Sequence, residues 1–367
     1  MRPMVRPAVA VAAALLCSTA VVRAADQEVI PSTEAADSAT IVSTIEGGVN
    51  AAYALGVRPA LRDAHAKAHG CVRATFTVDD DLPQNLRVGL FAAPTSYKAW
   101  IRFSNGSGTP HDDASGDGRG MAVKVIGVPG DKLLKDVPEA EKSTQDFVMI
   151  NYPAFFIRNV ADYVPFTALS LKGKSAEFYA THQHEAEVVK AITSMTVGEV
   201  FDQRYFSMTP YLLGDQYTKF SARPVDCASG AALTPSDAPV PADDPDFLRA
   251  RMAKWLGGRD ACFRLGIQVQ TDPATQPVED PTIIWDETTA PFVDVASIRI
   301  PAQAFESKAQ DTFCDNLSYT PWHALPEERP VGGINRLRKE VYAAISALRH
   351  RLNKAASVEP TGDETFE

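Results

Sequence analysis

The chain has 367 residues, 45% of them hydrophobic and 22% charged, which is ordinary for a globular protein with a sizeable core. A formal net charge of −10 excludes the basic footprint of a broad nucleic-acid binder, so no nucleic-acid partner is expected. Beyond the N-terminus no stretch is long and apolar enough to span a bilayer, so the mature chain is expected to hold no integral membrane segment.

Residues 1–24 read as a secretory signal peptide. Arg2 and Arg6 give a positive start, Ala8 to Val22 an apolar run, and Val22-Arg23-Ala24 a small-residue cleavage pattern. The expected location is therefore periplasmic or extracellular. Four cysteines remain beyond the leader, Cys71, Cys227, Cys262 and Cys314, in a compartment that permits disulfides. Their three possible connectivities stay open; Cys227 with Cys262 is favoured because the two flank a Pro/Asp-rich loop. No zinc-ligand spacing occurs.

Residues 25–38 are polar and read as a flexible linker, and 39–55 are helix-like. From Val72 to Val78 apolar and polar residues alternate with the period of a half-buried strand. Leu86 to Phe91, Trp100 to Phe103, Met121 to Ile126 and Phe147 to Ile150 read as further strands, with a Gly/Ser/Asp-rich loop over 105–119. Residues 174–200 switch to helical spacing. Strands resume near Phe220, at Cys262 to Gln270, at Thr282 to Trp285 and at Val293 to Ile300. Residues 316–333 are irregular, 334–353 form the clearest helix, and the acidic tail from 354 is expected to be disordered. Many short strands, one helical insertion and a terminal helix predict an α+β fold on an antiparallel barrel, one domain over 39–353.

The terminal helix carries two stripes. Ile334, Leu337, Val341, Ile345, Leu348 and Leu352 form an apolar one; Arg338, Tyr342, Ile345 and Arg349 lie beside it. Arginines at a buried face need anionic partners. One reading is a tyrosine at a packed edge with surface arginines. The other is a phenolate metal ligand, its proton loss helped by Arg338 one turn away, with Arg349 free to bind a carboxylate. At the other end of the chain, Arg62-x-x-His65-Ala-Lys67 opens the first strand. Ser104 ends another and can orient His65. Asn151, in a Tyr-Pro turn, can donate to an oxygen ligand.

Five ordered segments together resemble the haem catalases. They are Arg62-x-x-His65-Ala-Lys67, Ile101-Arg102-Phe103-Ser104, Asp117-Gly-Arg119-Gly120-Met-Ala-Val-Lys124, Asn151-x-Pro153-x-Phe155-Phe156-Ile157-Arg158, and Arg338-x-x-x-Tyr342 with Arg349 seven residues on. The resemblance implies an eight-stranded antiparallel β-barrel with a helical insertion and a C-terminal helix, and a haem between barrel and helix. It implies Tyr342 as the iron ligand, His65 as the distal base, Ser104 as its orienter and Asn151 as a donor. Arg62, Arg102 and Arg349 are implied to bind the haem propionates, Arg338 to support Tyr342, and Val164 to stand where the family has a haem-stacking aromatic. With no Cys-x-x-Cys-His sequence, the implied cofactor is haem b held non-covalently. The implied partners are a small-molecule peroxide, hydrogen peroxide first, and an organic reductant.

The chain departs from the classical enzymes at Ala343-Ala344 after Tyr342 and in lacking a long C-terminal region. Segment 316–336 is more similar to the shorter catalase-like haem proteins. An organic or lipid hydroperoxide-processing enzyme, a non-catalytic haem carrier or sensor, and a barrel without haem stay open as alternatives.

Overall fold

The computed structural model describes residues 27–135, 137–236, 238–241 and 243–366. The leader expected over 1–24 lies outside them. In chain order the elements are α1 (Glu34–Ala54), β1 (Ala68–Val78), β2 (Ser96–Asn105), β3 (Arg119–Ile126), β4 (Thr144–Ile150), α2 (Val160–Ser170), α3 (Ser175–Tyr179) and α4 (Gln183–Thr193). There follow β5 (Tyr205–Phe206), β6 (Tyr211–Leu213), β7 (Gln216–Val225), α5 (Phe247–Leu256), β8 (Ala261–Val269), β9 (Phe292–Ile300), α6 (Lys308–Asn316) and α7 (Gly333–Asn353).

Every strand pairing is antiparallel, in the order β5-β4-β3-β2-β1-β9-β8-β7-β6, and a further β5–β7 pairing closes eight strands into a barrel. The α+β barrel expected from the sequence is therefore the one observed. Closure removes the open edges that a sheet of this size would otherwise present. Strand alternation sorts the side chains. Val72, Phe76, Ile101, Phe103, Val123 and Phe263 fill the interior. The intervening residues of β2, β3 and β4 point outward, toward the helices.

That outward face carries the site. The apolar stripe of α7, Leu337, Val341, Ile345 and Leu348, packs on Ile41 and Ile45 of α1 and Val160 of α2. This packing turns the Arg338–Tyr342–Arg349 stripe toward the outer face of β2–β4. Each alternate residue thus has a structural reason for its side.

Several expectations fail for identifiable reasons. Leu86 to Phe91 is two short 3-10 turns, not a strand. Gly89 has φ +56°, and Leu86, Leu90 and Phe91 all turn into the barrel core, which an alternating strand cannot do. Thr282 to Trp285 forms no strand either; it is held as a turn, in which Thr282 N donates to Asp280 Oδ1. Helices α2, α5 and α6 were not anticipated. Two of them have legible caps: Asn159 accepts from Asp162 N, and Ser307 accepts from Gln310 N.

The linker expected over 25–38 ends early. Helix α1 starts at Glu34, and Arg336 ties down both Glu28 and Glu34. The tail expected to be disordered is docked. Glu359 accepts from the Lys142 and Ser143 amides, Trp100 Nε1 donates to Glu364 Oε2 at 2.9 Å, and the Phe366 ring lies 5.8 Å from that of Trp100. An outward tryptophan on β2 needed a cover, and the tail supplies it. A chain ending at Val358 should therefore lose about 1–3 kcal/mol of stability by uncovering apolar surface. Urea unfolding checks this; unchanged stability would mean the tail does not dock.

Candidate functional site

The site is a cleft between the outer face of β2–β4 and α7. It has two lobes. One encloses about 730 Å³ and is lined by Arg62, Arg102, Tyr319 and Arg349. The other encloses about 1490 Å³ and is walled by Ile45, Phe155, Phe156, Tyr163, Phe166, Leu337 and Val341. Asp63, Ala64, His65, Val148 and Tyr342 line both and so mark the junction.

His65 is built into an unusual place. Its φ is +57°, a left-handed backbone uncommon for any residue but glycine, which histidine reaches more often than most. Such conformations persist only where the surroundings enforce them. Here the His65 amide donates to Gly106 O and the Ala66 amide to Ser107 O. Asp117 holds that loop in turn, its Oδ2 accepting from both the Gly106 and Ser107 amides at 2.9 Å. A Cβ on Gly108 would lie 2.0 Å from Asp63 O, so only glycine lets the loop approach.

The His65 Nδ1 lies 3.0 Å from Ser104 Oγ. Gly120, opposite Ser104 in the β2–β3 register, leaves the space for this pair. A Cβ there would stand 2.6 Å from His65 Nδ1 and 2.7 Å from Ser104 Oγ. Burial, with Arg102 next, pushes the imidazole down to about 4, so it is neutral at ordinary pH. Among the described residues its Nε2 has no hydrogen-bond partner, which leaves that nitrogen to the cleft.

Arg62, Arg102 and Arg349 come together in the first lobe. Arg62 donates to Leu317 O at 2.7 Å and lies 3.6 Å from Asp315. Arg349 donates to Ala60 O and Asp315 O. Arg102 donates to Ala66 O at 3.4 Å, and its Nε is buried without a partner. Burial and then mutual repulsion with Arg62 push Arg102 and Arg349 each down to about 9. Among the described residues Asp315 is the one carboxylate in ion-pair contact with the cluster, and its side chain is 48% exposed. The lobe thus has an unfilled requirement for negative charge. Tyr319 Oη, also buried there, has no partner either.

On α7, Arg338 Nη2 donates to Tyr342 Oη at 3.1 Å. Thr209 Oγ1 and Asn335 Oδ1 fix the other arm of the guanidinium.

Two expected residues stand elsewhere. Asn151 does not face the cleft: its Oδ1 accepts from Arg119 N at 2.7 Å and its Nδ2 turns to Met195 Sδ. It ties the end of β4 to the start of β3, and Val148 and Ile150 line the cleft instead. Val164 packs among the helices with Ile41 and Leu337. The aromatic wall comes from its neighbour Tyr163 with Phe155, Phe156 and Phe166. A single residue step along helix α2 separates the two positions by about 100°, enough to exchange which residue faces the lobe.

Sequence reasoning missed Asp63, whose carboxyl lines both lobes; burial raises it to about 6 against the pull of Arg349. The signal was an acid two residues before the candidate base. A second acidic group, Glu141 with Asp146 and His323, has a spacing that could hold a metal ion. Lys124 already fills it, with Nζ 2.8 Å from Asp146 Oδ1 and 3.2 Å from His323 Nδ1.

Among solved structures the chain is similar to a fungal catalase, with a TM-score of 0.59 and 17% identity over 83% of this chain and 61% of that one. It is similar to a bacterial catalase, with 0.63 and 16% over 87% and 62%. It is similar to catalase A from Saccharomyces cerevisiae, with 0.61 and 17% over 87% and 67%. The fold is catalase-like. The chain spans about three-fifths to two-thirds of the length of these catalases. No protein-family model and no curated protein sequence matches it.

The site has a characteristic acid response. Between about pH 4 and 6 the unfolded chain takes a proton on His65 that the folded chain refuses, so this group makes stability rise with pH. Asp63 acts in the opposite sense: the folded chain keeps a proton the unfolded chain has lost, so stability falls as pH rises. The slopes offset. Asp63→Asn removes only the second, so its stability should climb more steeply with pH than the parent's across this window. Urea unfolding of ligand-free protein at several pH values checks it; equal slopes would refute the assignment.

Proposed function

We propose that this chain is an exported, haem-dependent oxidoreductase that decomposes peroxide. The observation that carries the reading is the polarity of the cleft. One lobe holds the buried Arg102 and Arg349 and the partly buried Arg62, which alone of the three has a carboxylate in ion-pair contact among the described residues; the other is walled by apolar and aromatic side chains, and Tyr342 and His65 stand where the lobes join. A flat amphiphile with carboxylates at one end and an apolar body suits that division. The catalase-like fold adds to this.

Haem b fits these residues without covalent attachment. Arg62, Arg102 and Arg349 would take its propionates through charge-assisted hydrogen bonds, and Arg102 Nε would gain the partner it lacks. Tyr342 would be the iron ligand, supported by Arg338. Bound there, a ferric haem supplies the redox centre at which a peroxide O–O bond is broken. His65 moves the proton. With Nδ1–H donating to Ser104 Oγ, its Nε2 lone pair accepts a proton from one peroxide oxygen and delivers it to the other. The lowered basicity keeps the ring neutral and ready for this. Ser104 and Gly120 fix the ring's orientation, and Asn151 acts as a positioning residue for β3 and β4.

The exported setting is supported by the leader-like N-terminus and by two cross-links, Cys71–Cys314 and Cys227–Cys262, which suit an oxidising compartment. A second reading has its own observation. The apolar lobe extends past Phe156 and Phe166 to Ile45 and Leu171, more room than hydrogen peroxide needs. That favours an organic or lipid hydroperoxide, with an organic reductant completing the cycle. Oxygen release from hydrogen peroxide, set against consumption of cumene hydroperoxide, separates the two.

His65→Ala should keep haem binding and lose roughly 10²–10⁴-fold in peroxide turnover, the usual worth of a positioned acid–base group. Tyr342→Phe should weaken haem binding and shift the Soret band. Absorbance titration with haemin followed by peroxide assays checks both. A His65→Ala protein that turns over at the parent's rate would remove the distal role. A parent that binds haemin without consuming peroxide would be a carrier or sensor.

A further inference from the structure

The arginine lobe is not held by the barrel alone. Arg62 is aimed by Leu317 O at 2.7 Å, with Cys314 O at 3.4 Å, and Arg349 by Asp315 O at 3.0 Å. The one carboxylate paired with the cluster, Asp315, belongs to the same stretch. So residues 314–317, the end of α6 and its cap, form a shelf of acceptors for two arginines on two other elements. The stretch packs on the barrel through Phe313, Cys314 and Leu317, which cluster with Trp100 of β2. Two links add direction to that packing. Cys314 is cross-linked to Cys71 on β1, 243 residues away in sequence. Gln310 Nε2, one turn earlier on α6, donates to Cys71 O at 2.8 Å and is itself buried.

We propose that α6, pinned to β1 by the Cys71–Cys314 cross-link and the Gln310 hydrogen bond, is the positioning element of the arginine cluster, and that recognition of the carboxylates of a bound ligand depends on it. Cys71, Cys314 and Gln310 are positioning residues; none touches the ligand. The principle is the one by which outer residues orient the groups that bind directly. Both sulfurs are buried, in a cluster with Trp100 and Leu317, so the cross-link sits under the shelf. The second disulfide, Cys227–Cys262, ties a loop after β7 to β8, and neither of its cysteines lines the cleft. It serves as an internal control.

This inference rests on the haem reading, and the test separates the two. The parent, Cys71→Val/Cys314→Ala and Cys227→Ala/Cys262→Ala are titrated with haemin and with haemin dimethyl ester, whose carboxylates are blocked. The expected result for the first variant is at least tenfold weaker haemin binding with the ester changed less than twofold. The control variant should change neither. Amide hydrogen exchange should rise over 312–319 in the first variant while the barrel strands keep their protection. Equal weakening of haemin and ester would mean general destabilisation and would overturn the proposal, as would unchanged haemin binding. A parent that binds no haemin would instead overturn the haem reading itself. Should the double variant not fold, Gln310→Ala, which keeps the cross-link, decides the matter. It is expected to weaken haemin at least twofold without affecting the ester, and no difference between the two ligands would count against the proposal.

Discussion

Uncompensated positive charge organises this molecule. Arg62, Arg102 and Arg349 converge from the segment before β1, from β2 and from α7; among the described residues the one carboxylate in ion-pair contact with them, Asp315, is half out in solvent, and Asp63 lines the same lobe without pairing directly. Buried cations without partners are costly, by roughly several kcal/mol per ion even after the protein relaxes around them. The protein tolerates them by giving each guanidinium backbone carbonyls, which orient it but do not neutralise it. The remaining requirement can be met only by something that enters the cleft. Such an arrangement makes the ligand part of the stability of the folded protein, since whatever binds the native state alone stabilises it by mass action.

The same economy governs the other side of the cleft. His65 sits on a left-handed backbone, which costs of order 1–3 kcal/mol and needs enforcement. Enforcement comes from the 105–108 loop, and the loop from Asp117. Gly120 then removes the side chain that would collide with the imidazole. Thus Asp117 and Gly120, neighbours in one short segment, act on His65 through different routes: one sets its backbone, the other clears its ring. Arg119 between them is buried on Asn105 and Asp113 and holds the loop's outer limb.

How much of this the sequence discloses depends on whether a feature is local. Strand alternation in β1, β2, β3 and β9 and the two stripes of α7 follow from side-chain period, so barrel, terminal helix and the Arg338–Tyr342–Arg349 face were legible. The Asn159 and Ser307 caps were legible too but sat beside weak apolar patterns, which hid α2 and α6. Asn151 and Val164 failed because each turns on one residue of phase at the end of an element, where spacing does not say which neighbour faces the cleft. The docking of the tail on Trp100 was illegible, since its polar composition reads as disorder and its partner lies more than 260 residues earlier. Asp63 was in plain view, but an acid near a candidate histidine has meaning only once both are known to line one cavity.

The buried Lys124 cluster completes the argument about the shelf. Asp146 on β4 accepts from Lys124, from the Thr320 amide at 2.9 Å and from His323 Nδ1 at 2.9 Å. Its own amide donates to His323 O. Segment 320–323 is thereby fastened to β3 and β4 by paired charges, with both Asp146 oxygens hydrogen-bonded, the condition under which burial of ions is tolerated. The acceptor shelf at 314–317 therefore lies between two anchors on the barrel, a covalent one at Cys314 and an ionic one at Thr320. Tyr319 hangs between them into the arginine lobe. The end of α6 and the irregular segment after it are thus tied to the barrel at both ends, which is what two arginines aimed by their carbonyls require.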